Sequence, residues 1–162
     1  MQRNEGMTAV QAYQRLTALC ARGEHCQYDL TEKMRQWGMA PEEQAQVMER
    51  LVRERYVDDE RYARAYVQDK VDYAHWGRRK IEQGLWQKHI DDTVARQALD
   101  DVDAQRWADV LRPLLKQKRR STRAASEYEL TMKLIKFAMG RGFTMDVIRQ
   151  CLEVEDEDEL AQ

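Results

Sequence analysis

The sequence predicts an all-α protein of three tandem three-helix repeats, in an elongated arrangement able to curve. Three observations carry that prediction. Only two prolines and seven glycines occur in 162 residues, among many Ala, Leu, Glu, Gln, Lys and Arg residues that favour helix. No run alternates apolar and polar residues with the β-branched and aromatic enrichment of a strand. And one apolar pattern occurs three times.

That pattern runs Leu30, Met34, Gly38, Met39, then Val47 and Met48. It returns as Ile81, Leu85, His89, Ile90, then Ala98 and Leu99, and again as Leu134, Ala138, Gly142, Phe143, then Cys151 and Leu152. Offsets are the same in each set, at a period of about 50 residues, which is the signature of a repeated supersecondary unit. Two apolar residues four apart make one stripe on a helix. A glycine four residues on can end that helix in the left-handed conformation, and the next apolar residue folds back over the end.

The elements follow in order. Repeat one, residues 8–57, begins with a helix carrying Ala12, Leu16, Leu19 and Cys20. Its second helix ends at Gly38, and Pro41 stands where a first helical turn accepts proline. Repeat two, residues 58–101, opens through Asp58, Asp59 and Glu60, acids suited to a helix start, and continues with Tyr62, Ala63, Tyr66, Val67 and Val71. His89 takes its glycine slot, so the cap must be strained or of another type, and Asp91 can cap the helix that follows. Repeat three, residues 102–152, starts with Trp107, Val110, Leu111, Leu114 and Leu115. Pro113 lies inside that pattern and should kink or restart the helix. The basic run after it should fill a longer connection, and Thr144 is a candidate cap. Residues 153–162 read as an acidic, disordered tail, able to fold over a basic surface.

Net charge is −2, yet the charge is segregated. Arg112, Lys116, Lys118, Arg119, Arg120 and Arg123 stand together without an acid, while Glu153 to Glu159 holds only acids among its charged residues. A dense basic segment can neutralise phosphates or meet an acidic protein surface; as a solvated loop it would do neither. Arg78, Arg79 and Lys80 open a helix after Gly77, where positive charge opposes the helix dipole. A partner's carboxylates or phosphates would offset that cost, but a surface helix also tolerates it. Lys88 reads more simply as surface. Trp37 and Trp107 read as packing, whereas Trp76 and Trp86 flank the basic helix and leave a partner contact open.

Catalytic chemistry finds little support. Cys20, His25 and Cys26 lack a second pair at zinc-ligand spacing, and three scattered cysteines do not form a disulfide framework. There is no glycine-rich phosphate loop, so no cofactor or nucleotide is expected. No stretch reaches the length of a membrane span, so the expected location is the cytosol. A macromolecule-binding protein is the leading class; a helix-turn-helix DNA-binding protein and a general helical-repeat adaptor are its rivals.

Three helix-triplets in a chain of this size resemble the RecX family, regulatory proteins that bind the RecA recombinase filament. Tyr56-Val57-Asp58-Asp59-Glu60-Arg61-Tyr62-Ala63 resembles the opening of the family's central repeat. Trp76-Gly77-Arg78-Arg79-Lys80-Ile81, running through Leu85, Lys88 and Ile90, is similar to its central glycine-basic helix, and Arg141-Gly142-Phe143 to its C-terminal repeat. Arg55 and His89 stand where the family carries glycine. The resemblance implies a monomeric, non-enzymatic inhibitor lying in the groove of the RecA–DNA filament. It would limit ATP hydrolysis, strand exchange and filament growth, and so act in DNA repair and the SOS response. Single-stranded DNA is a second candidate partner. The expected contact residues are Arg78, Arg79, Lys80, Lys88, Lys116, Lys118, Arg119, Arg120 and Arg123.

Overall fold

The structure, a computed structural model, describes the backbone of residues 6–160 and the side chains of residues 6–152. Among the described residues there are nine helices and no strand: α1 (Ala9–Arg22), α2 (Gln27–Gln36), α3 (Pro41–Arg53), α4 (Asp59–Asp72), α5 (Arg78–Gln87), α6 (Asp92–Asp100), α7 (Ala104–Ser121), α8 (Glu127–Gly140) and α9 (Met145–Leu160). They group in threes, in chain order. The reading of residues 153–162 as a disordered or masking tail lies outside the residues whose side chains are described.

Local chemistry starts these helices. Thr8 and Gln11 form a reciprocal capping box at α1, 3.1 and 3.2 Å. Asp58, Asp91, Asp103 and Ser126 accept backbone N–H bonds at the starts of α4, α6, α7 and α8. The second helix of each triplet ends in the same turn. Met39 N donates to Met34 O, Ile90 N to Leu85 O and Phe143 N to Ala138 O, at 3.1–3.2 Å. Gly38 and Gly142 make that turn with φ of 75° and 94°, and His89 makes it with φ 56°. The predicted strain at His89 is therefore present.

Arg55 ends α3 in the same left-handed conformation, φ 62°, with its side chain exposed. A Cβ in that region costs about 1 kcal/mol. Arg55→Gly should thus raise folding stability by about 0.5–1 kcal/mol, seen as a thermal midpoint some 2–3 °C higher. His89→Gly should gain less, because the His89 ring stacks on Tyr28 at 4.0 Å. A lower midpoint for Arg55→Gly would dismiss the strain.

The first helix of the third triplet narrows one expectation, since the helix does not restart at Pro113, and corrects another. α7 runs unbroken from Ala104 to Ser121 with Pro113 inside it. Lys116 to Arg120 therefore lie on its last turns, and only residues 122–126 connect to α8. Proline removes one backbone bond and costs about 3 kcal/mol in a helix. Here Pro113 faces solvent, while buried Val110, Leu111 and Leu115 hold both halves of α7 on one apolar stripe.

Two cores form. Triplet one has its own, built on Leu16, Leu30, Met34, Val47 and Leu51. Triplets two and three share another, which runs from Val67, Ile81 and Leu85 through Trp107 and Leu111 to Leu134 and Ile148. Cys26 is the one buried residue of triplet one in the shared core. The first seam is otherwise polar: Arg61 holds Glu24 at 2.5 Å, Gln27 N donates to Asp59 at 2.9 Å, and Lys88 holds Asp29 at 2.9 Å.

Candidate partner-binding surface

The nine sequence-predicted cations fall into different environments. On α7, Lys116 and Arg120 are exposed, as is Arg123 just beyond it, and none of the three makes an ion pair with a described residue. Lys118, Arg119 and Arg120 occupy the last helical turn, where their charge suits the dipole. Arg119 lies 3.6 Å from Glu127. Lys118 sits 5.2 Å from the centre of the Phe137 ring on α8.

A second cation meets the same ring. The Arg141 guanidinium lies 5.3 Å from the Phe137 centroid, a cation–π range. The turn after α8 then docks on the start of α5. Gly77 N donates to Arg141 O at 2.8 Å and Arg79 N to Gly142 O at 2.9 Å. The sequence leaves this helix start as a place for a partner's carboxylate or phosphate; two of its backbone donors are already occupied from within the chain.

The Arg78–Lys80 run divides. Lys80 turns to Trp76, 4.5 Å from its ring centre, and Lys70 of α4 approaches the same ring at 4.8 Å. Arg78 pairs with Asp100 of α6 at 2.7 Å. Arg79 is exposed. Lys88 is engaged in the first seam, where its hydrogen bond to Asp29 raises its pKa above the ordinary lysine value.

The result is a series of basic–aromatic contacts: Lys118 and Arg141 on Phe137, then the backbone bonds from Gly77 and Arg79 to the turn after α8, then Lys80 and Lys70 on Trp76. Sequence reasoning missed Lys70 and Arg141 as members. Lys70 carries a faint signal, standing six residues before Trp76. Arg141 stands in the Arg-Gly-Phe motif, but as a turn residue. Only folding brings both cations onto tryptophan and phenylalanine rings.

Burial shifts titratable groups of the interior. Burial pushes the Cys26 thiol up to about 11, and its sulfur lies 3.9 Å from the carbonyl of Lys88. It stays a neutral thiol near pH 7. Burial also raises the Asp59 carboxyl, despite the hydrogen bond from Gln27 N. Among the described residues, no group of three or more His, Cys, Asp or Glu side chains is placed to hold a metal ion. Nor is any helix among them long and apolar enough to cross a membrane.

Comparison with known proteins locates this architecture. Residues 58–99 match the second three-helix domain of RecX, and residues 105–152 the third. The chain is 30% identical over 140 residues to the regulatory protein RecX of Vibrio campbellii, covering 86% of this chain and 88% of that protein. It is 28% identical over 141 residues to the RecX protein of Halorhodospira halophila, covering 87% and 86%. The crystal structure of RecX from Lactobacillus salivarius superposes with a TM-score of 0.83 at 19% identity, over 91% of this chain and 96% of that one. With both family domains matched in order and similarity extending over most of its length, this chain belongs to the RecX family of regulatory proteins.

Proposed function

We propose that this protein is a non-catalytic inhibitor of the RecA recombinase, seated in the groove of the RecA–DNA filament as a monomer in the cytosol. Its three modules, residues 8–57, 58–101 and 102–152, span adjacent filament subunits and restrict the motion that accompanies ATP turnover. Filament growth and strand exchange slow with it, which places the protein in the control of DNA repair and of the SOS response.

The observation that carries this reading is the surface around Phe137 and Trp76. Lys118 and Arg141 share one ring and Lys70 and Lys80 the other, while exposed Lys116 and Arg120 add positive charge on another face of α7 and Arg123 adds it just beyond the helix. Rings hold cations in place without neutralising them, so this surface attracts acidic protein groups or phosphates at long range. Exposed Arg79 adds charge at the start of α5, whereas Arg78 and Lys88 are already paired with Asp100 and Asp29. Single-stranded DNA within the filament is a second source of negative charge.

The test is to add the protein to RecA on single-stranded DNA and follow ATP hydrolysis. The rate should fall with dose, and half-inhibition should need more protein as salt rises. Unchanged hydrolysis at saturating protein would refute the inhibitor reading. Tight, sequence-selective binding of naked duplex would favour an independent DNA-binding role instead.

A further inference from the structure

Away from the ring-bound cations, α5 and α6 border a groove of 590 Å³. Arg79 and Trp86 stand on the α5 wall, two turns apart on one stripe, and Arg96 stands on the α6 wall. Ile90 forms part of the floor and is itself 4% exposed. Trp86 is 70% exposed, whereas Trp107 in the core is 6% exposed. A tryptophan held in water beside an apolar floor is the residue type that most often anchors an interface.

The groove carries both signs of charge. Arg79 and Arg96 line it and make no ion pair with a described residue, while neighbouring Arg78 is paired with Asp100; Glu82 on the α5 wall and Asp92 on the α6 wall line it too. Beyond Trp86 and Ile90 the groove continues to Asp91 and Asp92. A nucleic-acid strand carries negative charge along its whole length and would meet those two carboxylates. A protein segment can carry both signs.

The geometry points to a docking site for a protein segment that presents an apolar residue with acidic and basic residues around it. Its carboxylates pair with Arg79 and Arg96, its apolar side chain lies on Trp86 and Ile90, and its cation faces Glu82 or Asp92. Seven helical residues separate Arg79 from Trp86, about 10 Å. The acid and the apolar residue are therefore about three positions apart in an extended segment, or about two turns apart in a helical one. This site rests on the inhibitor reading, because the segment is supplied by the recombinase filament.

Three variants test it: Trp86→Ala, Arg96→Glu and Asp92→Lys, each assayed with RecA on single-stranded DNA. Trp86 and Arg96 are exposed, so urea midpoints should stay close to the parent for these two. Trp86→Ala should raise the half-inhibiting concentration about tenfold or more, as for a central anchor. Arg96→Glu and Asp92→Lys should each raise it about three- to tenfold, since charges of both signs in the groove are engaged. Tighter inhibition by Asp92→Lys, or tryptophan quenching by a thymidine oligonucleotide that Trp86→Ala abolishes, assigns the groove to nucleic acid and overturns the proposal. If the parent inhibits RecA and all three variants inhibit equally, the groove site falls and the inhibitor reading stands. If the parent itself leaves RecA unaffected, both fall.

Discussion

Gly77→Ala should cost about 3–5 kcal/mol of folding stability, the sum of overpacking against backbone and the loss of two hydrogen bonds. A Cβ at Gly77 would stand 2.3 Å from Phe143 N, 2.4 Å from Gly142 C and 2.5 Å from Gly142 O. All three are backbone atoms, which cannot rotate away as a side chain can. The α8–α9 turn must retreat, and with it go the bonds from Gly77 N to Arg141 O and from Arg79 N to Gly142 O. Gly142→Ala should behave alike, since its Cβ would lie 2.4 Å from Lys80 Cβ and its φ is 94°. The measurement is a urea titration of each variant. Gly140→Ala is the control, with nothing within 4 Å of the added Cβ. A loss well under 1 kcal/mol for Gly77→Ala would show that triplets two and three are not interlocked there. A loss of several kcal/mol is large beside the 5–15 kcal/mol that a typical domain has in total.

Lys116→Glu, Arg120→Glu and Arg123→Glu combined should raise the half-inhibiting concentration for RecA on the order of a hundredfold at low salt. The estimate takes about 1 kcal/mol for each reversed charge at a charged interface. The three residues are exposed and make no ion pair with a described residue, so reversal breaks no internal bridge to them. Glutamate near the end of α7 does oppose the helix dipole, at about 0.3–1 kcal/mol. The glutamine triple variant removes that concern: it should lose about half as much in logarithmic terms, and its inhibition should depend less steeply on salt. Equal inhibition by parent and both variants across salt concentrations would move the recombinase contact elsewhere on the molecule.

The helices and their grouping were legible in the sequence because their causes are local. Leu30-Met34-Gly38-Met39 specifies a stripe, a left-handed turn and a fold-back within ten residues, and each triplet has such a unit. Even the departure at His89 was readable, since the turn needs positive φ whichever residue occupies it. At Pro113 the restart did not occur, for the opposite reason. Its local preference is to break, and the apolar stripe on both sides, buried against other helices, outweighs it.

The surface required the tertiary structure. Composition could count cations but could not say which were already neutralised. Lys88 meets Asp29 across 59 positions and Arg78 meets Asp100 across 22. Lys118 and Arg141 converge on Phe137, and Gly77 touches Gly142, only because triplets two and three share one core. Charge acts through space while helix signals act along the chain. The amino-acid order by itself therefore determined the repeated helical scaffold, and only its packing decided which positive charges face outward together.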